Sequence, residues 1–157
     1  KFTHQNPPEQ FLAAECEAAT RFHLRYVKAM PRLSLDALTA EELRPGVWEI
    51  CAAVGNRGFL PTNLTDMAVS LQLNRPVKLT ISGAALLSGS AEETLGDLAG
   101  YSATVAGAYG YGNLTNGPHA KSRKRCTWLV AAEKGTAITV KAAQEKSGAA
   151  EKTIVLA

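Results

Sequence analysis

From Leu12 to Met30 apolar positions recur every three or four residues, at Leu12, Cys16, Ala19, His23, Tyr26, Val27 and Met30. That is the spacing of one helical face. Phe11, Ala18, Phe22 and Ala29 widen the face to about half the circumference, beyond the stripe of an ordinary surface helix. Glu17, Arg21, Arg25 and Lys28 hold the opposite side. Upstream, Asn6 suits the capping position, Pro7 the first helical position, and Glu9 completes a capping box. Pro31 disfavours helical backbone at Met30 and ends the helix. So wide an apolar arc should touch two surfaces, with His23 packed on it rather than ligating a metal.

After Pro31 the period changes to two. Leu33, Leu35 and Ala37 alternate with Ser34 and Asp36; Arg44-Pro45-Gly46 turns the chain; Trp48, Ile50, Ala52 and Val54 alternate with Glu49, Cys51 and Ala53. Further strands are expected at 77–81, 85–87, 93–98, 125–131, 137–142 and 152–156, with a short helix over 65–71. Gly83, Gly135 and Gly148 supply turns, and 100–117 reads as a long Gly- and Tyr-containing loop. Short strands separated by turn signals, without βαβ alternation, predict a mainly β fold. The expectation is an immunoglobulin-like antiparallel β-sandwich (32–157) preceded by one long N-terminal helix in segment 1–31. Its core should hold Leu33, Leu35, Trp48, Ile50, Val54, Leu79, Ile81, Trp128, Val130, Ile138, Val140, Ile154 and Leu156.

Composition narrows the function classes. The 157 residues carry a net charge of +3, too mild to indicate nucleic acid. No apolar run approaches the roughly 18 residues of a membrane span. The chain opens Lys1-Phe2-Thr3, without Met or a signal-like segment, and so reads as a piece of something longer. His4, His23 and His119 have no carboxylate or second histidine at metal-ligand spacing, and Ser122 lacks a nucleophile elbow. No catalytic set and no metal site is therefore read here. An inter-sheet disulfide would join Cys51 to Cys126, but the alternation turns Cys51 outward and Cys126 inward, so free thiols are expected. Lys121, Arg123, Lys124 and Arg125 form a basic cluster without interleaved aromatics, which fits a solvated strand edge. Asn63-Leu64-Thr65 and Asn113-Leu114-Thr115 match the glycosylation pattern, which is too short to carry weight alone.

The stretch AVGNRGFLPTNLTDM (53–67) poses the main question. Two glycines, a proline and the pair Phe59-Leu60 fit either an active-site loop or a scaffold corner. The glycines end a core strand and Pro61 redirects the chain toward the short helix, which favours the corner. Phe59 and Leu60 are then expected to plug the end of the sandwich or meet the helix. The other reading makes Phe59 and Leu60, with Tyr101, Tyr109 and Tyr111, an interaction surface on which tyrosines stack against sugars.

The pieces KFTHQNPP (1–8), ATRFHLRYVKAMPRL (19–33), GVWEICAAVGNRGFLPTNLT (46–65), NRPVKLTISG (74–83), LLSG (86–89), GDLAG (96–100) and TIVL (153–156) span nearly the whole chain. Together they resemble the C-terminal portion of bacterial zinc carboxypeptidase-family proteins, in which a metallopeptidase domain is followed by an appended β-sandwich. The family's His-x-x-Glu zinc pair is absent here, and its glutamate base would lie upstream of Lys1. The resemblance thus implies a non-catalytic accessory domain that holds no zinc or other cofactor itself. Segment 1–31 would be the last helix of the peptidase domain, the sandwich's partner in a periplasmic or secreted parent. Two other expectations stand beside it: a carbohydrate-, cell-wall- or protein-binding module, and a homodimer formed through the apolar helix. Nucleic acid and membrane are not expected partners.

Overall fold

The computed structural model describes residues 8–101 and 122–157. One long helix, α1 (Glu9–Lys28), leads into strands β1 (Leu33–Arg44) and β2 (Val47–Asn56), then a one-turn helix α2 (Asp66–Ser70). Strands β3 (Val77–Ser82), β4 (Ala85–Ser88), β5 (Glu92–Gly96), β6 (Arg123–Ala131), β7 (Ala137–Gln144) and β8 (Gly148–Val155) complete the chain. All pairings are antiparallel, in two four-stranded sheets of order β1-β2-β6-β4 and β5-β3-β7-β8.

Alternation builds the core. Trp48, Ile50, Ala52 and Val54 of the first sheet and Val77, Leu79, Ile138, Val140 and Ala142 of the second are buried in one apolar cluster. Each buried valine, leucine or isoleucine among them contributes about 1.5–3 kcal/mol on leaving water. Of the expected core, only Ile154 falls short, being partly buried against the cluster. Each tryptophan also finds an acceptor for its indole N–H: Trp48 bonds the Ala132 carbonyl at 3.1 Å and Trp128 that of Ser90 at 2.9 Å. Gly89 is required beside the second ring, since a Cβ there would lie 2.5 Å from Trp128 Cδ1. A backbone bond of 3.0 Å from Leu33 N to the Ser147 carbonyl links β1 of one sheet to the β7–β8 turn of the other.

Three expectations are corrected. The phase of β1 changes at Asp36: Leu35 pairs with Val54 and Ala37 with Ala53, so Asp36 is the extra residue of a bulge. Ala37 is consequently exposed, and Leu38 and Ala40 turn toward the core in its place. The helix begins at Glu9 with Pro8 at its cap, not at Pro7; Asn6 and Pro7 lie outside the described residues. Most consequentially, no residue of α1 is buried. Its apolar arc touches neither expected surface, and His23 is exposed, its Nδ1 donating to the Ala19 carbonyl at 2.7 Å within the helix. The cysteines are free, as expected; Cys51 and Cys126 sit on paired strands of the same sheet, so an inter-sheet bridge has no geometry.

The corner after β2 is locked by close backbone approach. A Cβ on Gly58 would fall 2.2 Å from the Met30 carbonyl oxygen and 2.5 Å from Pro31 Cα. Phe59, expected as a plug, is instead 45% exposed. Neighbouring substitutions should therefore behave oppositely. Gly58→Ala should cost about 1–3 kcal/mol through overpacking against backbone. Phe59→Ala should cost about 1 kcal/mol or less, not the 3–5 of a buried ring. Urea denaturation of the two variants checks both.

Candidate functional site

At the corner, residues from four segments of the chain meet. Beyond β2 the strand ladder ends, and the freed backbone groups need other partners. Asn56 supplies them: its Oδ1 accepts from Arg32 N (3.0 Å) and Gly58 N (2.9 Å), and its Nδ2 donates to the Leu60 carbonyl (2.8 Å). Arg57 N donates to the Arg32 carbonyl and Leu60 N to that of Ala29, fastening the segment that leaves α1. Thr62 is buried, donating to Asp97 Oδ1 at 3.1 Å and accepting from Leu98 N at 2.9 Å. Gln144 Nε2 reaches the carbonyls of Thr62 and Arg75, while its Oε1 accepts from Ser147. Asn63 is buried as well, so its glycosylation pattern cannot act in this fold.

This network brings the backbones of the Phe59 and Tyr101 segments together. Tyr101 N donates to the Gly58 carbonyl at 3.2 Å, and Gly100 packs so tightly that a Cβ would lie 2.3 Å from the Phe59 carbonyl oxygen. Both aromatic residues remain exposed, Phe59 at 45% and Tyr101 at 60%. Leu60 is half-buried, its backbone committed to the corner on both sides. Tyr109 and Tyr111 lie outside the described residues. Sequence reasoning found the two aromatic positions but missed Asn56 and Gln144, which look like ordinary strand-end polar residues.

A small cleft of about 230 Å³ adjoins the corner, lined by Lys28, Met30, Pro31, Arg32, Arg57 and Gly58. A larger one of about 850 Å³ lies between β5 and β6, where Asp36, Glu93, Leu95, Arg123, Lys124 and Cys126 line it. Its charges are mixed, and Lys124 Nζ is tied to the Leu95 carbonyl. Burial, followed by the nearby Glu93 charge, pushes the Cys126 thiol up and keeps it protonated, a poor nucleophile. Among the described residues no group of three or more His, Cys, Asp or Glu side chains could hold a metal ion. None of their helices is long and apolar enough to cross a membrane.

The bulge aims Asp36 between two arginines. Its Oδ1 accepts from Arg57 Nη2 (2.8 Å) and Ser34 Oγ (2.8 Å), and its Oδ2 lies 2.7 Å from Arg123 Nε. Burial alone would raise this carboxyl. The hydrogen bonds from Arg57 and Ser34 and the charges of Arg123 and Arg57 together outweigh it, holding the pKa below the ordinary 3.8.

Residues 32–155 match the family described as Domain of unknown function (DUF8731), and the chain belongs to that family. No curated protein matches it. Among solved structures it is similar to a Bifidobacterium adolescentis GH3 beta-glucosidase at 12% identity and a TM-score of 0.31. That match covers 80% of this chain and only 17% of the glucosidase chain, a likeness too slight to carry an argument.

The Asp36 cluster generates a pH prediction. A carboxyl with a lower pKa folded than unfolded contributes stability that is complete above the ordinary value and lost as pH falls through the folded one. Asp36→Asn should therefore lower the melting temperature at pH 7 by about 2–4 °C. The gap to the parent should close as the pH drops below about 4. Thermal melts at pH 7, 5 and 3 check it.

Proposed function

We propose that this member of the DUF8731 family is a non-catalytic binding module whose ligand is a carbohydrate polymer, cell-wall glycan included. In this reading the two sheets close as an immunoglobulin-like sandwich. The single core shared by both sheets and the Leu33–Ser147 bond between them support that closure. The observation that carries the function is the exposed pair Phe59 and Tyr101 on a corner whose backbone is held at every turn. Aromatic rings left in water on a rigid support offer flat apolar faces with little ordering cost on binding. The apolar face of a sugar ring is a fitting counterpart. Phe59→Ala with Tyr101→Ala should reduce retention on insoluble polysaccharide or purified cell wall by at least about tenfold. Equal retention of parent and double variant in a pull-down would remove the corner from the binding surface.

A second reading is favoured by α1. A 20-residue helix with no buried residue, and with Phe11, Phe22, Tyr26 and Val27 each more than half exposed, presents an unpaired apolar face. An accessory domain packing on the metallopeptidase domain of a zinc carboxypeptidase-like parent would cover it. The sheets themselves should not need the helix: removing residues 1–28 should leave the melting temperature within about 2–4 °C of the parent. The same truncation should abolish association with such a peptidase domain. Concentration-dependent mass in light scattering would instead assign the face to a second copy of the chain.

A further inference from the structure

We infer that the ligand of the corner carries negative charge: an acidic polysaccharide whose carboxylate or phosphate group enters the cleft beside Phe59. This rests on the carbohydrate-binding reading and names its ligand class.

The cleft of about 230 Å³ is lined by three cationic side chains, Lys28, Arg32 and Arg57, and by no acidic one. Arg32 immediately precedes β1 and Arg57 immediately follows β2, and a 2.8 Å bond from Arg57 N to the Arg32 carbonyl joins them just past the end of the ladder. Like charges placed directly across a strand pair repel. Arg57 is compensated, since its Nε and Nη2 both bond Asp36 Oδ1. Among the described residues the side chains of Arg32 and Lys28 pair with no carboxylate. A lysine near a helix C-terminus is accounted for by the helix dipole. Arg32 lies past that terminus, just before β1, and the dipole does not account for it.

Carbonyls at the end of α1 would ordinarily deter an anion, but three of them, those of Tyr26, Val27 and Ala29, are engaged by backbone N–H groups. Ala29 N bonds the Tyr26 carbonyl, Met30 N that of Val27, and Leu60 N that of Ala29. The side-chain charge of the cleft's lining is net positive. A guanidinium offers paired N–H groups that match the two oxygens of a carboxylate or phosphate. Gly58 lines this cleft, is followed directly by Phe59, and accepts from Tyr101 N. A sugar ring stacked at the corner would thus bring its acidic substituent to Arg32 and Lys28.

The test uses the whole chain and three polymers: polygalacturonate, the same polymer fully methyl-esterified, and a poly(glycerol phosphate). Titration calorimetry at low salt should show at least tenfold tighter binding of polygalacturonate than of its neutral ester, with the preference shrinking as salt rises. Arg32→Gln should bring the ratio of the two affinities toward one, and Lys28→Gln should do so more weakly; a melt of each variant verifies folding. Stronger binding of the glycerol phosphate polymer would identify phosphate as the natural acidic group. Equal affinity for the acid and its ester would overturn the charge inference and leave the aromatic corner standing. Absence of binding to all three, together with no retention on insoluble glycans, would remove both.

Discussion

Buried backbone without a strand partner is the constraint on which this molecule turns. Between Asn56 and Val77 the chain leaves one sheet, passes the exit of the long helix and enters the other. The peptide groups buried on that path, around Asn56, Gly58, Thr62 and Asn63, lose water and must be repaid with hydrogen bonds. Asn56 serves three of them, and Thr62 and Gln144 serve others. Because the partners come from residues 29–32, 97–101 and 144–147, satisfying the corner also fixes where those segments lie. The aromatic pair and the cationic cleft are positioned as a by-product of that requirement.

Much of the β architecture was legible because burial and alternation obey one rule. Trp48, Ile50 and Val54, or Ile138 and Val140, leave no choice about which face is inward once one residue is placed. The reading failed where the rule is interrupted. A bulge adds one residue to one strand, and nothing in Leu35-Asp36-Ala37 announces it; the reason lies in Arg57 and Arg123, far away in the chain. Gly58 and Gly100 showed as glycines, but the backbone they make room for belongs to distant segments. The helix misled in another way. Its apolar arc was correctly read, but periodicity reports a face and not what covers it, so His23 was expected in a core and is found in water.

The candidate site was legible only in halves. Phe59 and Tyr101 stood out as aromatics among turn residues, whereas Arg32 looked like one more cation behind a proline. Their adjacency follows from the Arg57–Arg32 backbone bond just past the β1–β2 ladder and from the Tyr101–Gly58 bond. The molecule thus separates its charges by task. At the Asp36 bulge, positive groups are compensated and lock two strands together; a few residues away, they are left to solvent.

The two tryptophans give the fold a built-in optical gauge. Both indoles are almost wholly shielded and both sit in the first sheet, each tethered to a loop carbonyl. They are the sole indoles of the chain, and α1 contains neither. Emission should therefore report the integrity of the sheets without contribution from the helix. Fraying or docking of α1 would register in far-ultraviolet dichroism while the fluorescence stayed still. One sample can then separate the two halves of the molecule without any label.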